Sequence, residues 1–98
     1  MKFEGLLPTG SVVMLEGGNH RLMIIGYAQK MDGSEKAYDY VGCLWPEGYL
    51  RPDANYMFNQ ENVKEVFFLG YQTDGEQVLV AEISAALDKY RAEHPEAL

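Results

Sequence analysis

Two stretches of this chain, one centred on Ile24 and one on Phe67, are apolar at consecutive positions where a half-buried strand would be apolar at alternate ones. An open antiparallel sheet normally keeps one face wet and polar, so strands apolar on both sides need cover on both sides. The chain must therefore curl its sheet, add a second layer, or meet a partner.

The punctuation between apolar runs sets the number of strands. Pro8-Thr9-Gly10 precedes Ser11-Val12-Val13-Met14-Leu15-Glu16, a β-branched and apolar run. Gly17-Gly18-Asn19-His20 tolerates positive φ and leads into a second strand-like run, Arg21 to Ala28, so the segment reads as a hairpin. After a polar turn over Gln29 to Lys36, Tyr38 to Trp45 reads as a third strand. Its alternation places Tyr38, Tyr40, Gly42 and Leu44 on one face and Asp39, Val41, Cys43 and Trp45 on the other. Pro46 ends it, because proline cannot donate to a sheet ladder.

A loop from Glu47 to Asn55 leads to a short strand at Tyr56-Met57-Phe58, and Asn59 to Asn62 forms a brief capped turn. Val63 to Tyr71 is the fifth and most apolar strand. Asp74-Gly75-Glu76-Gln77 then resembles a capping box with Asp74 as N-cap, followed by Leu79, Ile83, Ala86, Leu87 and Tyr90 on one apolar helical stripe. Pro95 places the helix end near Glu93.

The fold class expected is α+β: about five short antiparallel strands forming a curled sheet or small barrel, followed by one C-terminal amphipathic helix. Five strands span roughly 24 Å, whereas one helix covers a band about 10 Å across. Closure into a barrel is the favoured way to hide the remainder, since it also removes exposed edges. The 98 residues suit a single domain, 1–98, with a core over about 7–93 and short frayed termini.

Composition narrows the function. Fifteen acidic residues face eight basic ones, and no two Lys or Arg are adjacent, so the clustered positive charge that phosphate binding needs is absent. Neither nucleic acid nor an anionic membrane is expected as a partner. A net charge of -7 favours solubility or a basic partner protein. The longest uninterrupted apolar runs, such as Val12 to Leu15, are far shorter than the roughly 20 residues of a membrane span, and the start of the chain lacks a signal peptide's apolar stretch. A cytoplasmic location is expected.

Catalytic sets are not legible. Cys43 with His20 or His94 lacks a nucleophile signature, and a cysteine on an apolar strand is more often core. Three Cys and His residues are too few and too widely spaced for structural zinc, so neither metal nor cofactor is expected. Gly17-Gly18 lacks the ending of a phosphate loop, and Ser11 and Ser34 lack the glycines of a nucleophile elbow. Asp39 and Glu47 read as solvated charges more readily than as an acid pair.

One feature is unusual. Tyr38, Tyr40, Trp45, Tyr49, Tyr56 and Phe58 place half of the twelve aromatic residues in about a fifth of the chain. Tyr and Trp serve interfaces as well as cores, and both uses are open here. If a binding surface exists, its candidate residues are Tyr40, Trp45, Glu47, Tyr49 and Tyr56, with Trp45 and Tyr49 foremost because a strand ending at a proline leaves its last residues on the sheet rim.

Leu7-Pro8-Thr9-Gly10-Ser11-Val12-Val13, Gly17-Gly18, Leu22 to Gly26, Tyr38-Asp39-Tyr40, Gly42 to Gly48 and Phe58-Asn59 together resemble a family of small uncharacterised proteins from Gram-positive bacteria, the domain-of-unknown-function family numbered four-one-seven-six. The resemblance covers roughly residues 6 to 83, and the Gly42 to Gly48 run at its spacing from Leu22 to Gly26 is its most specific part. Trp45 stands where the family has a tyrosine, and Gln60 where it has a histidine. Members occur beside toxin and secretion genes of the type VII export system. The resemblance thus implies a non-enzymatic cytoplasmic adaptor or chaperone for a secreted toxin or effector. An immunity protein that neutralises a toxin is the alternative, and a small-ligand-binding domain the third class.

Overall fold

The computed structural model describes residues 5–95; the termini expected to fray lie outside them. Five strands, β1 (Val12–Leu15), β2 (Leu22–Lys30), β3 (Ala37–Leu44), β4 (Tyr56–Phe58) and β5 (Val63–Phe68), precede one helix, α1 (Asp74–Glu93). Short 3-10 turns at Pro52–Ala54 and Gln60–Asn62 flank β4. The strands form one antiparallel sheet in the order β4-β3-β2-β1-β5. β4 and β5 are its edges, so the sheet is curled but open, and the expected barrel closure does not occur.

Register assigns each side chain to a face, because directly paired residues share one. Val13 pairs with Leu22 and Val66, Leu22 with Leu44, and Tyr40 with both Tyr27 and Phe58. These residues, with Leu7, Ile24 and Val63, pack with Val80 and Leu87 of α1 into the main core. On the opposite face, Val12 pairs with Met23 and Phe68, Met23 with Cys43, and Val41 with Met57. Val12 and Cys43 are buried there, while Met14, Met23, Val41 and Met57 are half-buried. The alternation expected for Tyr40, Gly42 and Leu44 against Val41 and Cys43 is therefore observed, and Cys43 is a core residue. Gly42 is small for a reason: a Cβ there would lie 3.1 Å from the Phe58 ring.

Three expectations are corrected. β5 was expected to run to Tyr71 as the most apolar strand, with cover on both faces, yet it stops at Phe68, and Phe67, Phe68, Leu69 and Tyr71 are exposed. β5 lies at a sheet edge with one strand neighbour. Beyond it Gly70 presses against the backbone of Thr9, where a Cβ would meet the Thr9 carbonyl at 2.0 Å. The Gly70 N–H donates to Ser11 Oγ at 3.0 Å instead of extending the ladder.

The helix N-cap is Thr73, one residue before the expected Asp74; its extended backbone lets Oγ1 accept from the Glu76 N–H at 3.0 Å. Its inward stripe is Val80, Ile83, Leu87 and Tyr90, so Leu79 and Ala86 point outward. Leu79 lies about 100° around the helix from Val80, and it is Val80 that is buried while Leu79 is exposed. Arg91 donates to the Ala37 carbonyl at 2.9 Å, and the Tyr90 hydroxyl donates to the Glu35 carbonyl.

Candidate functional site

The sequence directs attention to β3 and the chain that follows it. Within β3, Tyr40 is 0% exposed. Its ring packs on Phe58 at 5.2 Å between centroids, and its hydroxyl accepts from the Leu7 N–H at 2.8 Å while donating to Gln60 Oε1. Every polar atom of this side chain is satisfied, and burial pushes its hydroxyl pKa well above the ordinary tyrosine value. Tyr40 therefore does not stand on an exposed binding surface, contrary to its place among the candidates.

Asp39 is likewise not a solvated charge. It is buried, accepts from the Gln60 N–H at 2.9 Å and pairs with Arg91 at 3.0 Å. Its own N–H donates to Asn59 Oδ1 at 2.9 Å. This polar clamp joins β3, the turn after β4, and the end of α1. Asp39 and Glu47 thus serve separate clusters and do not form an acid pair.

The far end of β3 differs. The Trp45 N–H donates to the Arg21 carbonyl at 2.9 Å, and the Gly48 N–H to the Leu44 carbonyl at 2.7 Å, which fold the chain into a tight turn. The Trp45-Pro46 peptide bond is cis, and Gly48 takes φ +83°, a left-handed conformation that glycine adopts without a Cβ penalty. Glu47 on this turn lies 2.9 Å from His20 Nε2, linking it to the β1–β2 hairpin. That hydrogen bond holds the Glu47 carboxyl below its usual pKa.

Around this turn the large side chains face water. Trp45 is 41% exposed, Tyr49 59% and Tyr56 50%, and Leu50, missed in the sequence reading, is exposed with them. Trp45, Tyr49 and Leu50 lie on the β3–β4 connection, and Tyr56 pairs with Gly42 at its return. Four of the five candidate residues, Trp45, Glu47, Tyr49 and Tyr56, are thus surface groups of one segment. A second exposed apolar group, Phe67 to Tyr71, went unrecognised because an apolar strand gives the same signal at an edge as in a core. Arg21 caps part of it, stacking over the Phe67 ring at 4.2 Å.

Catalytic geometry is not assembled from the groups considered. Cys43 is buried, His20 pairs with Glu47, and His94 stacks on Tyr90 at 4.1 Å. Among the described residues no group of three His, Cys, Asp or Glu is placed to hold a metal ion, and no helix is long and apolar enough to cross a membrane.

What this segment can do chemically is present rings, one carboxylate and backbone groups to another surface. Neither a curated protein nor a solved structure matches the chain. A family profile does match, over residues 6–79, and it covers Tyr40, Asp39 and the exposed turn but stops short of Arg91. By that match the chain belongs to the family described as Domain of unknown function (DUF4176).

Proposed function

We propose that this protein is a non-enzymatic, cytoplasmic protein-binding accessory, an adaptor or chaperone for a toxin or effector of a type VII secretion locus. The observation that carries the binding role is the exposed set Trp45, Tyr49 and Leu50 on the β3–β4 connection, with Tyr56 exposed where β4 begins. Aromatic anchors on a fixed turn lose little conformational freedom on binding and supply large apolar contact area. The secretion setting rests on the genomic company that members of the family keep.

The test is co-expression with the toxin encoded beside the gene. An adaptor co-purifies with the toxin, leaves it active, and is required for its export. Trp45→Ala should lower that affinity by more than about 2 kcal/mol, as loss of an interfacial anchor does. A toxin exported equally well without this protein defeats the adaptor reading.

The excess of acid, a net charge of -7, favours a second reading as an immunity protein that covers a basic active-site cleft. In the same experiment that role restores growth to cells making the toxin.

A further inference from the structure

We propose that the sheet face turned away from α1 packs against the same face of a second copy of this chain, giving a weak, two-fold symmetric dimer of sheet on sheet. α1, the one α-helix among the described residues, packs on the face that holds Val13, Ile24 and Tyr40. The other face is apolar too, and an apolar sheet face is stable in water only under a second layer.

Register lays that face out in two rows. Cys43, Met23, Val12 and Phe68 are successive partners across β3, β2, β1 and β5. In the neighbouring row Met14 pairs with Glu65, and the Trp45 N–H bonds to the Arg21 carbonyl one step past the Leu22–Leu44 pair. The same step along β1 and β2 sets Met14 beside Arg21, so this row reads Trp45, Arg21, Met14, Glu65. Val12 and Cys43 are buried, Met14 and Met23 half-buried, and Phe68 is 61% exposed.

Charge and area select a second copy as the occupant. Arg21 and Glu65 stand two strand spacings apart in one row, about 10 Å, with Met14 between them. A two-fold axis along β1, in the plane of the interface, exchanges the two ends of the row. The Arg21 end then meets the partner's Glu65, and Met23 meets the partner's Phe68. Arg21 lies over the Phe67 ring, and a guanidinium stacked in this way keeps its N–H edges free for a carboxylate. The strands are four, nine, eight, three and six residues long, so the face measures about 20 Å by 24 Å. Two such faces bury roughly 1,000 Å², the low end for a specific interface, which sets dissociation at about 10 µM or above. Extension of the sheet at β5 is the poorer route, because two register shifts against β1 twist that edge.

Sedimentation equilibrium of the purified chain, from about 5 to 500 µM, tests this. The mass should rise from one copy toward two. Phe68→Lys should weaken the dimer about tenfold or more, with circular dichroism confirming the fold of each variant. Arg21→Glu and Glu65→Arg should each weaken it about threefold or more, and the double exchange Arg21→Glu Glu65→Arg should restore it to within about twofold. Leu79→Asp, on α1 at the other face, should leave the curve unchanged. A monomer at about 500 µM leaves this face to a different protein and overturns the assignment. Undiminished association of Phe68→Lys, a double exchange that restores nothing, or dissociation by Leu79→Asp would overturn it as well. No toxin enters these measurements, so their failure leaves the adaptor reading standing, and failure of the export test leaves the dimer standing.

Discussion

Tyr40 and Trp45 stand five residues apart, one inside β3 and one just past it, and the fold treats them in opposite ways. Tyr40 is enclosed, its hydroxyl bonded to Leu7 and Gln60, while 41% of Trp45 faces solvent on a turn. Asp39 and Glu47 repeat the contrast: the first is buried against Arg91, the second exposed beside His20. Composition is therefore a poor guide to role in this segment. What separates the two ends is whether neighbouring elements arrive to supply partners. α1 and the turn after β4 reach Asp39 and Tyr40, whereas the turn past Leu44 is tied back to the β1–β2 hairpin through the Arg21 carbonyl and His20.

The contrast breaks most visibly under mutation of its buried member. Tyr40→Ala should cost about 3–5 kcal/mol in chemical denaturation, through the cavity and the orphaned Leu7 N–H. A loss below about 1 kcal/mol would mean that the ring is not integral to the core. Arg91→Met should cost about 2–3 kcal/mol, because it leaves Asp39 shielded without its cation. If Asp39→Asn Arg91→Met together prove as costly as the sum of the singles, the two side chains are not coupled and the clamp is mis-drawn.

Alkaline titration probes the Tyr40 hydroxyl directly. Its folded pKa is raised, so its contribution is intact below the unfolded value of about 10 and is lost as pH rises above it, when only the unfolded chain ionises freely. Tyr40→Phe should cost about 1–2 kcal/mol at neutral pH and flatten the decline in stability above about pH 10. Tyr27, also raised by burial, leaves some slope in the variant. An unchanged alkaline limb would show that Tyr40 is not the group responsible.

Trp45→Ala should cost less than about 1.5 kcal/mol of folding stability; a loss in the range of about 3–5 kcal/mol would make Trp45 a core residue like Tyr40 and remove the binding surface. Smallest of all, Leu79→Asp should shift stability by no more than about 0.5 kcal/mol, since Leu79 is exposed on α1. A larger effect would return Leu79 to the inward stripe and rotate the helix.

Much of the fold was legible because it depends on local chemistry. Gly17-Gly18-Asn19 marks a turn by its tolerance of positive φ, Pro46 interrupts a ladder by lacking an N–H, and the change to helical periodicity before Leu87 needs only the side-chain order. The candidate surface was partly legible for the same reason, since Trp45 and Tyr49 flank a proline-terminated strand. Tyr40 was misplaced because alternation assigns a face without saying which face the helix will cover. Arg91, the residue that makes Asp39 a buried ion, gave no signal, as an arginine near a helix end reads as an ordinary solvated charge.

The order of apolar, turn and breaker residues by itself determined five strands, one helix and their approximate limits, because backbone sterics and side-chain periodicity act over a few residues. Tertiary structure alone decided that the sheet stays open, that β5 lies at its edge with Phe67 and Phe68 exposed, and that Val80 instead of Leu79 faces inward. Those outcomes depend on contacts between residues tens of positions apart, such as Arg91 with Asp39 and Gly70 with Ser11, whose geometry no local pattern encodes.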